Sequence, residues 1–451
     1  MVTDLTTGKP FKKIIQFCLP LMVGQLFQQF YNMVDSIIVG KFCGTAELSA
    51  VGSTGSINFL VIGFVLGCCT GFCIPMSQAF GEKDMKKLRK CYANSIYLTV
   101  ILTVVITILT VTFVSRVLRL MNTPVEIIDM AEDYITIIFW GTAATFFYNM
   151  AACVMRSLGD SKTPLYLLIF SSLLNVALDL LFVIKLDMAV KGVAIATVIA
   201  QAVSAVLSFI IIKKKLEILR FEKGERSFSP RTCGRLLYNG LPMALQMSIT
   251  AVGSIMLQSA VNGLGYTIVA AVTVATKVQL MLMLPSETVG ATMATYCGQN
   301  FGAGRMDRVK EGMFKSMIIA AAYCLISVPL AHFGGSMLAQ LFVKSTETEV
   351  IALIARFLRV GSYFYPILAL IFLLRNSVQG LGYSLPAMMA GVFELVARAL
   401  MGFWIIPKYG FDAVVFANPM AWIFADILLV PVFFITYNLA KKKIAARKKE
   451  Q

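Results

Sequence analysis

Long apolar runs separated by short polar segments recur along the whole chain. Each run has about 20 residues or more, which is long enough to cross the roughly 30 Å hydrocarbon core of a bilayer as a helix. We predict helices rather than strands because an open sheet edge cannot satisfy its backbone hydrogen bonds in lipid. The twelve predicted spans are 14–39, 48–75, 91–114, 127–153, 164–185, 190–212, 236–262, 267–297, 313–333, 350–374, 385–406 and 413–438.

The amino-acid composition supports an all-α integral membrane protein. Of the 451 residues, 58% are hydrophobic and 14% are charged, whereas soluble domains average about 45–50% apolar and about 25% charged residues. No cleavage-site pattern precedes the first run, so we expect it to be retained as a helix. The ten cysteines lie scattered in apolar segments. Their spacing predicts buried thiols, with no metal centre and no cofactor.

Lysine and arginine are distributed unevenly between the two sets of loops. One set, which includes both termini, holds 29 of these residues, and the opposite set holds about seven. The positive-inside rule therefore predicts a multi-pass protein of the plasma (inner) membrane with both termini in the cytoplasm. The net charge of +16 is spread over many short loops, so no nucleic-acid partner is predicted. The rich set is Lys9 to Lys13, Lys83 to Lys90, Arg156, Lys162, Lys213 to Arg235, Arg305 to Lys315, Arg375 and Lys441 to Lys449.

The second half of the sequence repeats features of the first at a constant offset of about 221 to 223 residues. An even number of spans in each half gives both halves the same orientation, so we predict two six-helix bundles related by a pseudo-two-fold axis along the membrane normal. The predicted parts are an N-terminal lobe (1–212), a basic cytoplasmic linker (213–235) and a C-terminal lobe with a basic tail (236–451). The matching segments are "FCLPLMVGQ" with "NGLPMALQM", "SQAFGEKDMKKLRK" with "GQNFGAGRMDRVKE", and "RSLGDSKTPLY" with "QGLGYSLPAMM".

Two carboxylates interrupt apolar runs in the first half. Asp35 lies about twenty residues into the first span and Asp179 about fifteen residues into the fifth. A carboxylate at mid-bilayer costs about 2.5–3.5 kcal/mol on insertion scales, so a retained one indicates function. Asn175 precedes Asp179 by four residues and shares its helical face, and Thr197 of the sixth span can add a hydroxyl oxygen. Together these oxygens suit a small cation, and a pair of carboxylates can also hold a proton.

A plainer alternative exists for the same two acids. Asp35 could be solvated near the outer surface, and Asp179 could cap a helix or pair with Lys185. The polar residues beside Asp35 on the first helix could likewise line a cleft or bond across helices.

The second half carries its own intramembrane charges. Glu394 and Arg398 are four residues apart, so they can form an ion pair on one helical face. Lys277 and Glu287 share the eighth span, about 15 Å apart along a straight helix. Glu287 has no cation at helical spacing, which makes it a second candidate for a cation or proton site.

These features resemble the multidrug and toxic compound extrusion (MATE) transporters over nearly the whole chain. That family belongs to a superfamily that also contains lipid-linked oligosaccharide flippases. Each short motif is weak alone, and the combination carries the resemblance. The motifs are "LPLMVGQLFQQFYNMVDSIIVG", "AFGEKD", "NFGAGR", "RSLGDSKTP" and "LLNVALD".

The resemblance implies an antiporter that exports small organic, often cationic, compounds in exchange for sodium ions or protons by alternating access. It implies a cation site at Asp35, Asn175, Asp179 and Thr197, in the branch of the family whose site lies in the N-terminal lobe. It also implies a hinge at Pro20. A second branch places acids on helices seven and ten, and the corresponding stretches here contain none. The candidates for the substrate cleft are Gln28, Tyr31, Asn149, Lys277 and Glu287.

Two rival functions were weighed against the antiporter. A flippase for a lipid-linked oligosaccharide or precursor belongs to the same superfamily, but such proteins tend to have additional helices or a strongly basic cavity. An intramembrane enzyme is disfavoured because no HExxH, GxSxG or phosphate-loop pattern occurs in the spans. We therefore predict a transporter and not an enzyme, monomeric and surrounded by membrane lipid.

Overall fold

A computed structural model describes residues 3–121 and 123–450. Within these residues all regular secondary structure is helical. Three π-helical turns, Val39–Cys43, Leu181–Lys185 and Met401–Ile405, and one 3-10 turn, Glu217–Leu219, join or end α-helices. The α-helices are α1 (Pro10–Ile38), α2 (Thr45–Gly81), α3 (Met85–Leu120), α4 (Val125–Trp140), α5 (Thr142–Ser157), α6 (Lys162–Leu180), α7 (Ala189–Lys215), α8 (Pro230–Asn262), α9 (Tyr266–Gly302), α10 (Met306–Phe333), α11 (Gly335–Gln340), α12 (Thr348–Ser362), α13 (Tyr365–Gly380), α14 (Ser384–Leu400), α15 (Ile406–Tyr409) and α16 (Phe411–Glu450).

The prediction of many membrane-spanning helices is confirmed. In the described residues, nine helices are long and apolar enough to cross a membrane, and two bent pairs bring the number to eleven. The helix α1 is present but is not among them, since its second half carries several polar side chains. The full count of twelve spans therefore stays a prediction.

The fourth and tenth predicted spans are bent, although their apolar patterns are continuous. The helices α4 and α5 meet at Gly141 with a bend of 47°, and α12 and α13 meet with a bend of 55°. A Cβ atom at Gly141 would lie 2.2 Å from a methyl carbon of Val198, so only glycine allows this close approach to α7. At the second bend Pro366 lies in the first turn of α13, where proline disfavours helical geometry in the residue before it.

The chain forms two compact units. The first consists of residues 3–4 and Leu19–Ala244, and the second of Leu5–Cys18 and residues 245–450. The divisions fall inside α1 and α8, each within three residues of a proline, at Pro20 and Pro242. Proline cannot donate the usual helical hydrogen bond, so both helices are weakened where they pass from one unit to the other.

In the first unit, glycine also allows α2 and α8 to approach each other closely. A Cβ atom at Gly71 of α2 would lie 2.5 Å from the Cα atom of Gly240 in α8, and one at Gly67 would lie 2.5 Å from the Cα atom of Ala244. Such separations leave no space for a side chain. Around this contact the interior is filled by buried apolar residues and thiols, including Phe72.

The basic linker between the predicted lobes is folded onto α3 of the first unit. The Nε atom of Arg89 donates to Glu225 at 2.6 Å, and its Nη2 atom donates to Glu222 at 2.8 Å. The backbone N–H of Ser229 donates to the side-chain oxygen of Asn94 at 2.8 Å. These contacts fix the path of the chain from α7 to α8.

In the second unit the segment before α1 is held by the turn region between α9 and α10. The backbone N–H of Leu5 donates to Gln299 at 3.0 Å, and Asn300 donates to the Leu5 carbonyl at 3.3 Å. Arg308 donates to the carbonyl of Gly8 at 2.9 Å. The motif "NFGAGR" therefore has a structural role, because its Asn300 anchors the chain terminus.

Candidate functional site

The side chains of the candidate cation site come from three helices of the first unit. The helices α6 and α7 form an antiparallel pair joined by a tight corner, where a Cβ atom at Gly192 would lie 3.0 Å from the Cβ atom of Phe182. Beside this pair, Gly24 of α1 faces Leu165 and Leu168 of α6, each 3.7 Å from an added Cβ atom. A methyl group at position 24 would therefore make ordinary van der Waals contact with α6.

Asn175 lies at the centre of the candidate site. In the amide orientation that satisfies all its hydrogen bonds, the nitrogen donates to Asp35 Oδ1 and to Asp179 Oδ2, each at 3.0 Å. The amide oxygen accepts from the backbone N–H of Thr197 at 3.1 Å and from its hydroxyl at 3.3 Å. One side chain therefore links all three helices. The structure brings together the four residues that the sequence predicts as the cation site.

The two carboxyl groups are neighbours, because the same amide nitrogen donates to both at 3.0 Å. The side chains of Asn175 and Asp179 are fully buried, and Asp35 is half-buried. One oxygen of Asp179 has no hydrogen-bond partner among the described residues. Tyr31 of α1 lies close to Asp35 and Thr197, so a residue predicted for the substrate cleft lies beside the acidic cluster.

Apolar side chains surround these oxygens. Val39, Val183 and Val193 form a buried cluster that is completed by the half-buried Val34 and Val176, the sequence neighbours of Asp35 and Asn175. Both helices that carry the acids pass into π-helical turns shortly after them, and such turns are frequent at functional sites. The low polarity around the site strengthens any electrostatic interaction within it.

Oxygen atoms of this kind are those that small monovalent cations and protons bind. Two adjacent carboxylates of low solvent exposure repel each other, and an added positive charge relieves that repulsion. The described residues contain no group of three or more His, Cys, Asp or Glu side chains that could hold a metal ion. The alternative pairing of Asp179 with Lys185 is absent from the described residues, because the partners of Asp179 are Asn175 and Asp35.

The sequence matches a known family twice. The family model MatE covers residues 20–181 and 242–404, more than half of the chain. The chain belongs to the MATE family. The matched ranges begin 222 residues apart, at 20 and 242, so the family model recognises each of the predicted internal repeats separately.

Relatives of this MATE chain include two proteins of Bacillus subtilis (strain 168). It is 28% identical to the probable multidrug resistance protein YpnP over 91% of this chain and 89% of the relative. It is 28% identical to the probable multidrug resistance protein YoeA over 74% of each chain. The solved structure of an outward-facing multidrug resistance MATE family transporter has the same fold, with a TM-score of 0.87 at 21% identity over 100% of each chain.

The remaining predicted residues of this MATE chain do not join the acidic cluster. Gln28 is half-buried and donates to Asn32 of its own helix at 3.3 Å. Asn149 donates to the carbonyl of Thr145, also on its own helix, at 2.8 Å. Neither side chain reaches the four cation-site residues through a hydrogen bond that the described residues contain.

Lys277 and Glu287 are both exposed on α9, outside the interior of the second unit. In the described part of the chain neither side chain takes part in a salt bridge. Pro20 is half-buried in α1 and lies beside the division between Cys18 and Leu19. The roles predicted for these three residues remain predictions.

The second unit contains a buried charge cluster that the sequence indicated only in part. The predicted pairing of Glu394 with Arg398 is confirmed, with the groups 3.5 Å apart. Arg375 also pairs with Glu394, although the sequence analysis had placed Arg375 in a cytoplasmic loop. That assignment was wrong because Arg375 lies within α13 and is buried. Its position inside the apolar stretch "PILALIFLLRNSVQG" was the signal that could have located it.

Asp426 of α16 was also missed. It is buried in the second unit, near Arg375 and Glu394. The criterion that selected Asp35, an acid in the middle of an apolar run, applies equally to the stretch "MAWIFADILLVP" around Asp426.

Proposed function

We propose that this MATE chain is a secondary active antiporter that exports small organic cations in exchange for protons or sodium ions. The observation that carries the proposal is the adjacent carboxyl pair of the half-buried Asp35 and the fully buried Asp179, bridged by Asn175. Burying two adjacent acids is costly unless their negative charge is balanced. A site of this kind holds a positive species in one state of the protein and releases it in another.

The proposed cycle uses competition for the same negative charge. Entry of the coupling ion neutralises Asp35 and Asp179, which lowers the affinity for a positively charged substrate and favours its release outside. Loss of the ion to the cytoplasm restores the charge and the affinity. Pro20, where α1 lacks a backbone hydrogen bond, is the proposed hinge that lets α1 respond to the loaded site.

The hydrogen-bond pattern favours a proton as the coupling ion. The amide nitrogen of Asn175 points at both carboxyl groups, and its oxygen is taken up by Thr197. A sodium ion would need that oxygen as a ligand, so the amide would have to turn and break its bonds to Thr197. A proton shared by the two carboxyl groups needs no such rearrangement.

The relatives support the substrate class. YpnP and YoeA are described as probable multidrug resistance proteins, and we extend that description to this chain as part of the proposal. We further propose that the protein is a monomer of the plasma membrane with both termini in the cytoplasm. The flippase alternative is not favoured by these relatives.

The decisive experiment is efflux of a fluorescent organic cation from proteoliposomes under an imposed proton or sodium gradient. We expect Asp35→Asn and Asp179→Asn each to reduce gradient-driven efflux at least tenfold, which corresponds to about 1.4 kcal/mol in the barrier of the slowest step. The matched control is Asp412→Asn, which neutralises an exposed acid on α16, and it should leave efflux unchanged. Intact efflux in both site variants, with the proteins folded, would show that the assigned site is wrong.

The same assay separates the two coupling ions. If the proton is the coupling ion, a pH gradient alone drives efflux, and a sodium gradient at constant pH does not. Efflux that is driven by a sodium gradient alone would instead mean that Asn175 turns its amide oxygen towards the sodium ion.

A further inference from the structure

Asp426 is a buried acid near the middle of the membrane-spanning part of α16 (Phe411–Arg447). Its side chain is 9% exposed, and both carboxyl oxygens lack a hydrogen-bond partner among the described residues. A buried acid with a purely structural role is normally held by hydrogen bonds or an ion pair. Asp426 lies in the second unit with neither a hydrogen bond nor an ion pair to another described residue.

The charges around Asp426 leave an excess of one positive charge. Glu394 pairs with both Arg375 and Arg398, so this group holds two positive charges against one negative. Both arginines retain an Nε–H group without a partner in the described residues. Ionised Asp426 balances the excess charge, whereas protonated Asp426 leaves it unbalanced.

No other charged residue on the elements packed against α16 enters this balance. Those elements are α12, α13, α14, α15 and the π-helical turn Met401–Ile405. On α12, Glu349, Arg356 and Arg359 are exposed, and Arg356 pairs with Asp412 at 2.6 Å. On α15, Lys408 is exposed.

A cavity of about 480 Å³ borders Asp426. In a regular helix the N–H of residue 431 would bond to the carbonyl of Ile427, but Pro431 has no N–H to donate. The carbonyl of Ile427 therefore lacks its helical donor beside this cavity. The lining residues are Ile367, Ile423, Asp426, Ile427, Val430 and Pro431.

We propose that Asp426 is a second proton-binding site, in the second unit, which exchanges its proton through this cavity. A sodium ion does not fit the same position, because hard cations need several oxygen ligands and the other five lining side chains are aliphatic. The two neighbouring arginines also repel a metal cation. A proton needs only one carboxylate oxygen. Protonated Asp426 no longer balances the excess positive charge of the arginines. A change in the surroundings of Asp426 therefore favours release of the proton.

Infrared difference spectroscopy tests this site without any transport assay. Full-length protein with ¹³C-labelled aspartate is compared at low and neutral pH in an Asp35→Asn/Asp179→Asn background, which removes the two acids of the candidate cation site. We expect a C=O band of a protonated aspartic acid that is lost when Asp426→Asn is added. An unchanged spectrum, with the protein folded by thermal unfolding and gel filtration, overturns the proposal.

Asp426→Glu keeps the experiment decisive if the Asn variant does not fold. It retains an acid at the same position, so the band should move from the aspartate label to a glutamate label. A band that stays with the aspartate label belongs to another residue and overturns the proposal.

A second arm rests on the proposed antiport and measures the number of protons exchanged per substrate. Asp426→Asn should lower this number by one, and the control Asp412→Asn should not change it. An unchanged ratio overturns a role in coupling. Because the infrared arm does not depend on transport, a failure of the antiporter proposal and a failure of this site give different results.

Discussion

The amide nitrogen of Asn175 donates to Asp35 Oδ1 at 3.0 Å and so joins α6 to α1. We expect Asn175→Leu to leave this oxygen and its counterpart on Asp179 without a donor, since leucine is similar in size but apolar. An unsatisfied buried acceptor costs about 1–3 kcal/mol, so the free energy of unfolding should fall by that amount.

Thermal unfolding in detergent measures this effect. The matched control is Asn149→Leu in the same unit, because Asn149 bonds only within its own helix in the described residues. Asn149→Leu should lower the unfolding temperature less than Asn175→Leu does. Equal losses in the two variants would contradict a special role for the Asn175 bridge.

At the contact between α2 and α8, we expect a single added methyl group to lower the stability of the protein. In Gly71→Ala the added carbon would lie 2.5 Å from the Cα atom of Gly240 and 2.7 Å from a backbone oxygen. Overpacking of this kind typically costs about 1–3 kcal/mol. The control is Gly55→Ala on the same helix, where no atom lies within 4 Å. Thermal unfolding should show a loss for Gly71→Ala and none for Gly55→Ala, and the reverse order would refute the close contact.

We expect neutralisation of Glu394 to cause a large fall in the free energy of unfolding, because two arginines pair with this residue. Glu394→Gln leaves Arg375 and Arg398 buried without their shared counter-ion, and breaking a buried pair typically costs about 3–5 kcal/mol. Asp412→Asn breaks the exposed pair with Arg356 instead, which is worth about 0–1 kcal/mol. Denaturation in a mixed detergent series compares the two. Similar losses would mean that Glu394 contributes little to holding the arginines.

We expect the attachment of the linker to α3 to depend on pH. Hydrogen bonds from Arg89 lower the pKa of Glu225 below its ordinary value. A lowered pKa in the folded state means that the stabilisation is complete above the unfolded pKa of about 4.3 and is lost as the pH falls through the folded pKa. Hydrogen exchange of residues 216–229, corrected for intrinsic rates, should therefore be slow at neutral pH and faster in acid.

A matched pair of variants isolates the buried contact of the linker. Glu225 is 4% exposed and Glu222 is 72% exposed, although both bond to Arg89. We expect Glu225→Gln to speed exchange and tryptic cleavage at Lys223 several-fold at neutral pH, and Glu222→Gln to have a smaller effect. Equal protection in both variants would show that the linker is held by its other contacts.

Much of the acidic cluster could be predicted from the sequence because its members obey local rules. Asn175 and Asp179 are one helical turn apart, and Asp35 stands out as an acid inside an apolar run. Tyr31 was predicted for a different role, although it lies four residues before Asp35 and so shares its helical face. The bend at Gly141 could not be predicted either, because its cause is the packing of Val198 from a helix distant in sequence.

The sequence by itself determined the helical class, the approximate spans, the internal repeat and the residues that form the acidic cluster. Apolar length, charge asymmetry and the cost of a buried acid act locally, so they can be read along the chain. Only the tertiary structure decided that Asn175 is the bridge, that Arg375 lies inside the second unit and that Asp426 has no hydrogen-bond partner among the residues that the structure describes. Those facts depend on which helices pack together, and packing is set by long-range contacts between side chains far apart in sequence.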